Sequence, residues 1–340
     1  MRKLLTLLVL LVTLTCPLYA AEKAAPQPKV QLAILLDTSN SMDGLINQAR
    51  AQLWKVVNEC AALQKTGRKP VLHVALYEYG NTNLPAKEGY VRQVLPFSTD
   101  LDKVSEKLFA LRTRGGDEFC GLVIERALAL DWSDQKGDLK MVFIAGNEPF
   151  TQGPVDYKKS CKSAIQRGIT VNTIFCGPWQ TGVNTQWQDG ARLADGRYMS
   201  IDQDRRLARI DAPQDKAILE LNRKLNATYV QYGRGGTAGL KRQERMDAEA
   251  AKMAPAAAVQ RAVAKSSHVY KQSWDLAEAV QEKRVKLEDV DKDALPEEMQ
   301  KMTIEERKEY IEKKMAEREK LQKQIKELSE AREKFVAKKR

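Results

Sequence analysis

Oxygen-bearing side chains follow the first apolar run of the chain. Residues 30–36 are apolar except for Gln31, and the run ends at Asp37, which is followed by Ser39 and Ser41. One carboxylate and two hydroxyls at alternate positions are the hard oxygen ligands that Mg²⁺ prefers, with Ca²⁺ or Mn²⁺ as alternatives. The spacing therefore predicts a divalent cation site. The alternative is a helix cap, because Asp and Ser side chains also accept hydrogen bonds from the first free amides of a helix.

Apolar strands and amphipathic helices alternate over the first two thirds of the chain. This alternation is typical of a doubly wound α/β fold, with a mostly parallel sheet and helices on both faces. Ligand sites in such sheets lie at the carboxyl ends of the strands, where Asp37 falls. The predicted strands cover residues 30–36, 71–79, 91–95, 140–145 and 169–176, and the predicted helices cover residues 44–63, 101–111, 122–130, 157–166 and 215–225.

The order buried strand, Asp37-x-Ser39-x-Ser41, helix resembles von Willebrand factor type A (vWA) domains, which carry a metal-ion-dependent adhesion site. Residues 114–118, Arg-Gly-Gly-Asp-Glu, resemble the Gly-Gly-Thr loop that supplies a third metal ligand in this family. The resemblance implies that Ser39 and Ser41 bind the ion directly and that Asp37 acts largely through water. It also implies that an acidic side chain of a protein partner completes the coordination.

The resemblance covers residues 30–232, and the chain departs from the family pattern at two places. Asp117 stands where the family has threonine, so an added carboxylate would strengthen cation binding and reduce the need for an anionic partner ligand. Gly146 stands where the family has an aspartate after its fourth strand, and Asn147 or Glu148 could compensate. The predicted metal ligands are therefore Asp37, Ser39, Ser41 and Asp117, with Glu118, Asn147 and Glu148 as further candidates.

Residues 177–200 show no clear strand or helix pattern until a predicted edge strand at 198–202. This stretch follows the fifth predicted strand, so it belongs at the same end of the sheet as Asp37. Trp179 and Trp187 within it are candidate contacts for a partner, because tryptophan is enriched at interface hot spots. The alternative is that they hold a packed loop together. Residues 228–232 are predicted as one more strand.

The N-terminus is predicted to direct export. Arg2 and Lys3 precede an apolar run at residues 4–14, and Ala20 suits signal cleavage, so residues 1–20 read as a signal peptide and residues 21–29 as a leader. The predicted location is secreted or periplasmic. Retention as an anchor and lipidation at Cys16 are the alternatives.

Four cysteines remain after removal of the signal peptide. An even number in an exported protein favours disulfides, and three pairings are possible in principle. The alternative is that they are small buried apolar side chains. The four candidates are Cys60, Cys120, Cys161 and Cys176.

The C-terminal third changes in composition to Ala, Lys, Glu, Gln and Arg. Residues 233–295 are predicted as a linker and helical segment, and residues 296–340 as one long charged helix that begins at a Thr303–Glu306 capping box. Arg318 interrupts the apolar stripe of this helix, so the helix is expected to pack on a partner or on a second copy of the chain. Its basic end, Lys338-Lys339-Arg340, is a candidate contact with a membrane or envelope surface.

The composition of the chain argues against further classes of function. The chain has 340 residues, a net charge of +11 and only two histidines, His73 and His268, which argues against a multi-histidine zinc site or a Ser-His-Asp triad. Export argues against nucleic-acid binding despite the positive charge. The prediction is an exported binding protein, not an enzyme, that recognises a protein partner through its cation site. The alternative is a structural scaffold with a degenerate site and a helical interaction tail that forms a homo-oligomer.

Overall fold

A computed structural model describes residues 27–43, 46–62, 70–201, 212–253 and 255–339. The predicted signal peptide with its cleavage after Ala20, the lipidation candidate Cys16, and Arg340 lie outside these ranges. None of the described helices is long and apolar enough to cross a membrane.

Six strands form a single sheet, and β1 lies inside it. The order is β3-β2-β1-β4-β5-β6, and of the described strands only β3, at one edge, runs antiparallel to its neighbour. The predicted doubly wound, mostly parallel sheet is confirmed. The strands are β1 (Lys29–Asp37), β2 (Val71–Tyr79), β3 (Val91–Ser98), β4 (Leu139–Gly146), β5 (Thr170–Cys176) and β6 (Tyr198–Ile201).

Helices follow most strands and continue through the C-terminal third. Short 3₁₀ turns occur at residues 40–42, 86–88, 287–289 and 292–294. The helices are α1 (Ile46–Ala62), α2 (Leu101–Ala110), α3 (Cys120–Leu128), α4 (Tyr157–Gln166), α5 (Trp179–Asn184), α6 (Trp187–Leu193), α7 (Asp215–Asn226), α8 (Gly236–Met253), α9 (Pro255–Lys265), α10 (Leu276–Gln281), α11 (Glu297–Gln300) and α12 (Ile304–Lys339).

Successive side chains of β1 point to opposite faces of the sheet, and helices cover both faces. Leu32 and Ile34 point to one face, where they join the buried side chains of α1, α2, α7, α9 and α12. Ala33 and Leu35 point to the other face, which α3, α4 and α6 cover. A strand that is apolar on both sides therefore lies between two cores, as the apolar run at residues 30–36 predicts.

The stretch at residues 177–200 differs from the sequence expectation. It forms the two short helices α5 and α6 before β6, because Trp187 is fully buried between Phe150 and Phe175, at ring-centroid distances of 4.8 and 5.8 Å. Such short helices have too few turns to show a clear apolar period. The strand predicted at 228–232 is wrong, since that segment makes only an isolated bridge between Gln231 and Asp275.

The long helix α12 packs against its own chain. The capping box at its start is present, with Glu306 N–H donating to Thr303 Oγ1 at 3.2 Å and Thr303 N–H donating to Glu306 Oε2 at 2.7 Å. Leu321 and Ile325 enter the core that the sheet shares with α7 and α9. Over its described part, the apolar stripe of α12 thus packs against the rest of its own chain. This differs from the expectation that it packs on a partner or a second copy.

The four cysteines are free thiols in this structure and not disulfides. All four are buried: Cys60 and Cys176 contribute to the core on one face of the sheet, and Cys120 and Cys161 contribute to the core on the other. Burial raises the pKa of the Cys60 and Cys161 thiols to about 12. They act as small apolar side chains, which is the second of the two alternatives considered above.

Candidate cation site

The candidate site lies where β1, β2 and β4 end together. Asp37, the last residue of β1, pairs with Tyr79, the last residue of β2. Three loops meet at this edge of the sheet. The amide of Arg114 donates to Thr38 O at 2.9 Å, and the side chain of Asn81 donates to Arg112 O at 2.8 Å. The first bond holds the loop after β1 against the loop that precedes α3, and the second holds the loop after β2 against that same loop.

Asp37 is fully buried at the floor of the site. Its Oδ1 atom accepts the amide hydrogen of Ser39 at 2.8 Å, whereas its Oδ2 atom has no hydrogen-bond partner among the described residues. Burial raises the pKa of Asp37 well above its usual value, and the carboxylates of Glu118 and Glu148 raise that pKa further. A buried carboxylate with one unsatisfied oxygen and acidic neighbours gains strongly from a nearby cation.

Ser39, Ser41 and Asn147 continue the cluster towards solvent. Ser39 Oγ and Ser41 Oγ are 2.8 Å apart, and Ser41 Oγ donates to Asn147 Oδ1 at 2.9 Å. Ser39 is buried, whereas Ser41 is exposed. The cluster therefore leads from the buried carboxylate of Asp37 to the surface, and a small ion could enter along this side.

The acidic residue that points into the site is Glu118, not Asp117. Glu118 is 4% exposed, and its carboxylate lies close to the Ser39 side chain. Burial raises the pKa of Glu118 to about 7, and the nearby Ser39 side chain partly offsets this increase. Asp117 is exposed. The loop turns the side chain of Glu118 inward, so Glu118 is better placed than Asp117 for the third ligand position.

The place of the usual aspartate after β4 is filled by a tyrosine. A Cβ atom on Gly146 would lie 2.4 Å from the Tyr79 hydroxyl and 3.1 Å from Asp37 Cβ, so a longer side chain does not fit. The Tyr79 hydroxyl instead donates to Ala145 O at 3.0 Å. Of the two candidates after Gly146, Asn147 contacts Ser41, whereas Glu148 contributes negative charge near Asp37 and Glu118.

Gly80 and Asn81 belong to the site, although their role was not predicted from the sequence. Gly80 has a φ of 77°, and a Cβ atom there would lie 2.7 Å from both Asp37 Oδ1 and Glu118 Cγ. Glycine thus lets the two acidic side chains approach each other. Asn81 is buried and bonds the carbonyl groups of Thr38 and Arg112. The signal that could have revealed them is a Gly-Asn pair directly after the second buried strand.

The two tryptophans have different roles. Trp179 is 49% exposed and lies against Tyr198, with ring centroids 4.4 Å apart. Trp187 is fully buried, and its Nε1–H donates to Glu148 O at 2.8 Å. Trp187 therefore supports the loop after β4 and is not exposed to a partner, which corrects that expectation, whereas Trp179 remains a candidate contact.

The donor set fits a hard divalent cation. No three His, Cys, Asp or Glu side chains converge on a metal position within the described ranges, so a binding set here must include hydroxyl and amide oxygens. The contacts from Ser39 to Ser41, from Ser41 to Asn147 and from Ser39 to Glu118 number three, but the two serines provide only two hydroxyl hydrogens. A cluster of oxygens that is short of hydrogens, above an unsatisfied carboxylate, matches the preference of Mg²⁺, Ca²⁺ or Mn²⁺.

Two further oxygen side chains at the rim bond each other. The Thr113 hydroxyl donates to an Asp43 carboxylate oxygen, and no hydrogen bond joins either residue to Asp37, Ser39 or Ser41 among the described contacts. The candidate ligand set is consequently Asp37, Ser39, Ser41, Glu118 and Asn147, with Glu148 nearby.

No family model and no curated protein sequence matches this chain. Among solved structures, the conserved hypothetical protein BatB from Bacteroides thetaiotaomicron is similar at 16% identity and a TM-score of 0.39, over 51% of this chain and 90% of that chain. The SpRpn10 VWA domain is similar at 15% identity and a TM-score of 0.40, over 53% and 91%. Proximal thread matrix protein 1 from the mussel byssus, with a zinc-occupied MIDAS motif, is similar at 10% identity and a TM-score of 0.38, over 53% and 43%.

These similarities concern the fold alone. The sheet order, the antiparallel edge strand β3 and the helices on both faces give the first two thirds of this chain a doubly wound α/β fold. The roles of individual residues at the site depend on the geometry described above.

Proposed function

We propose that this chain is an exported binding protein that holds a divalent cation at the loop after β1 and recognises a protein partner on the surrounding surface. The observation that carries the proposal is the Oδ2 atom of Asp37, which is buried, lacks a hydrogen-bond partner among the described residues and lies beside further oxygen ligands. The export signal that the sequence predicts at residues 1–20 supports the proposal of a secreted or periplasmic location.

The residues that would hold the cation are those that already cluster at the site. Asp37 and Glu118 would supply negative charge, and Ser39, Ser41 and Asn147 would supply neutral oxygens. A bound cation supplies a coordination position that an oxygen atom of a partner can complete. The exposure of Ser41 leaves that position towards solvent.

The surface around the site suits a protein contact. Trp179 follows β5 at the same end of the sheet and is about half exposed, and an exposed tryptophan is a frequent anchor of protein interfaces. The vWA resemblance implies that the partner contributes an acidic side chain. We therefore propose a protein partner, and Mg²⁺ as the first ion to test. The proposal is for binding and not for catalysis.

The scaffold alternative rests on the C-terminal helix. Its basic end, with Lys338 and Lys339 exposed, stays a candidate contact for an anionic membrane or envelope surface. Assembly of several copies through α12 would have to use its exposed side, because Ile311, Leu321 and Ile325 are buried within the chain. This makes cation-dependent binding the better supported of the two functions.

Calorimetric titration tests the proposal. The mature chain, stripped of metal with a chelator, is titrated with Mg²⁺, Ca²⁺ and Mn²⁺ alongside the Ser41→Ala and Asp37→Asn variants. We expect saturable binding by the wild type, and affinity at least about tenfold lower in both variants. Glu125→Gln serves as the control, because Glu125 is an exposed carboxylate on α3. A folded wild type that binds none of the three ions would overturn the proposal and favour the scaffold.

A further inference from the structure

We propose that Glu118 supplies, from within the chain, the carboxylate ligand that the vWA resemblance assigns to a partner. This inference rests on the proposed cation site and departs from the resemblance in one respect. The site would then bind its ion without an acidic partner group, and the partner would contribute a neutral oxygen such as an amide or a hydroxyl.

The first support is the position of the Glu118 side chain. It is almost completely buried and lies close to the Ser39 side chain, which lowers its pKa. Gly80 lies between Glu118 and Asp37 and leaves room for both, since a Cβ atom there would lie 2.7 Å from an atom of each side chain. The two acidic groups therefore flank one small space.

The second support is the way in which the backbone of Glu118 is held. Its amide donates to Gln152 Oε1 at 2.8 Å, and Gln152 lies in the loop that follows β4. Two residues earlier, Gly116 packs closely against the backbone of Gly80. The loop is thus bonded and packed on both sides of Asp117, and this arrangement turns Glu118 inward while Asp117 stays exposed.

The third support is charge balance. Asp37 and Glu118 together carry two negative charges, which neutralise one divalent cation. Glu148 lies near enough to affect both carboxylates and adds a further negative charge. An acidic group from a partner would therefore meet a site that is already neutral or negative, and its approach would be opposed by repulsion from Glu118 and Glu148. A neutral oxygen meets no such repulsion.

Acetate provides a direct test, because it is the simplest carboxylate that could take the partner's position. The full mature chain is titrated with Mn²⁺ in sodium acetate and in sodium chloride of equal ionic strength. The variants are Glu118→Gln, which keeps the shape of the side chain, and Glu118→Ala, which leaves space for acetate. Asp117→Asn is the matched control, since it removes an adjacent, exposed carboxylate. Thermal unfolding confirms that each variant is folded.

We expect both Glu118 variants to bind Mn²⁺ at least tenfold more weakly than the wild type in chloride. Acetate should restore affinity several-fold in Glu118→Ala, and change it less than twofold in the wild type and in Asp117→Asn. Acetate that strengthens Mn²⁺ binding as much in the wild type as in the variants would overturn the inference and leave the cation site standing. Unchanged Mn²⁺ affinity in both Glu118 variants would also overturn it. A folded wild type without Mn²⁺ binding would instead overturn the proposed function itself.

Discussion

The candidate cation site after β1 and the network between α2, α8 and α9 each contain two acidic groups that are buried or largely buried, but only the network contains cationic side chains of the chain itself. In the network, Arg261 donates to Asp102 Oδ1 and to Asp247 Oδ1, each at 2.6 Å, and Lys265 donates to Asp247 Oδ2 at 2.7 Å. The cluster around Asp37 has hydroxyl and amide groups as its neighbours and no such ion pair among the described residues.

The pKa values of the two aspartates show the consequence. Burial alone would raise the pKa of Asp247, but Lys265 and Arg261 outweigh this effect and hold it below its usual value. Burial raises the pKa of Asp37, and neighbouring carboxylates add to the increase. The negative charge of the network is therefore balanced by cationic side chains of the chain itself, whereas Asp37 has no such partner among the described residues. This contrast is the basis on which the cluster around Asp37 is proposed as a binding site.

Removal of Arg261 should have the largest effect. Arg261→Met leaves Asp102 buried without its cation, and the loss of one partner from a buried ion pair costs about 3–5 kcal/mol. Urea unfolding measures this cost as a decrease in the free energy of unfolding. The control is Arg245→Met at the same contact between α8 and α2, where the exposed pair with Glu106 should cost less than about 1 kcal/mol. Equal decreases in the free energy of unfolding in the two variants would show that the buried network contributes no more to stability than an exposed ion pair.

Acidification should remove the contribution that ionised Asp247 makes to the free energy of unfolding. Because its pKa is lower in the folded than in the unfolded chain, its stabilising effect is fully present above the unfolded value near 4 and is lost as the pH falls towards the folded value. The groups that face it are Arg261, Lys265, Asn222 and Asn226. We expect a loss on the order of 2 kcal/mol between pH 5 and strongly acidic solution.

Urea unfolding at several pH values between 5 and 2 measures this loss. Asp247→Asn should be less stable than the wild type near neutral pH, and its stability should depend less steeply on pH in the acidic range. Parallel pH profiles for the two proteins would show that Asp247 does not carry the effect.

Neutralisation of Asp37 should change the free energy of unfolding in the opposite direction and by a smaller amount. In the presence of a chelator, Asp37→Asn should raise the free energy of unfolding, because it removes a buried charge that is close to other carboxylates. Thermal unfolding with and without Mn²⁺ provides the measurement. Mn²⁺ should stabilise the wild type but not the variant. If Asp37→Asn destabilises the metal-free chain as Asp247→Asn does, the two clusters do not differ in the way described.

Local patterns predict much of the fold. The apolar run at residues 30–36 and the predicted helix at 157–166 correspond to β1 and α4, because their periods and ends are set by neighbouring residues. The prediction of the capping box at Thr303 is confirmed for the same reason. Residues 177–200 do not follow from such patterns, since α5 and α6 depend on the burial of Trp187 against Phe150 and Phe175.

The sequence by itself places Asp37, Ser39 and Ser41 together, because they share one short loop at the end of a buried strand. Only the tertiary structure decides that Glu118 and not Asp117 joins them, since the direction of a loop side chain depends on distant bonds such as that from Glu118 N–H to Gln152. The role of Arg318 likewise could not be predicted from local sequence patterns.

In the sequence, Arg318 interrupts an apolar stripe. In the fold, its guanidinium is buried and donates to Asp275 at 2.6 Å and to Thr228 O at 2.7 Å. Residue type and spacing thus determine which groups are able to bind an ion or form an ion pair. Which partner each group meets depends on long-range packing, because a buried charge is tolerated only where the folded chain or a ligand supplies its counterpart.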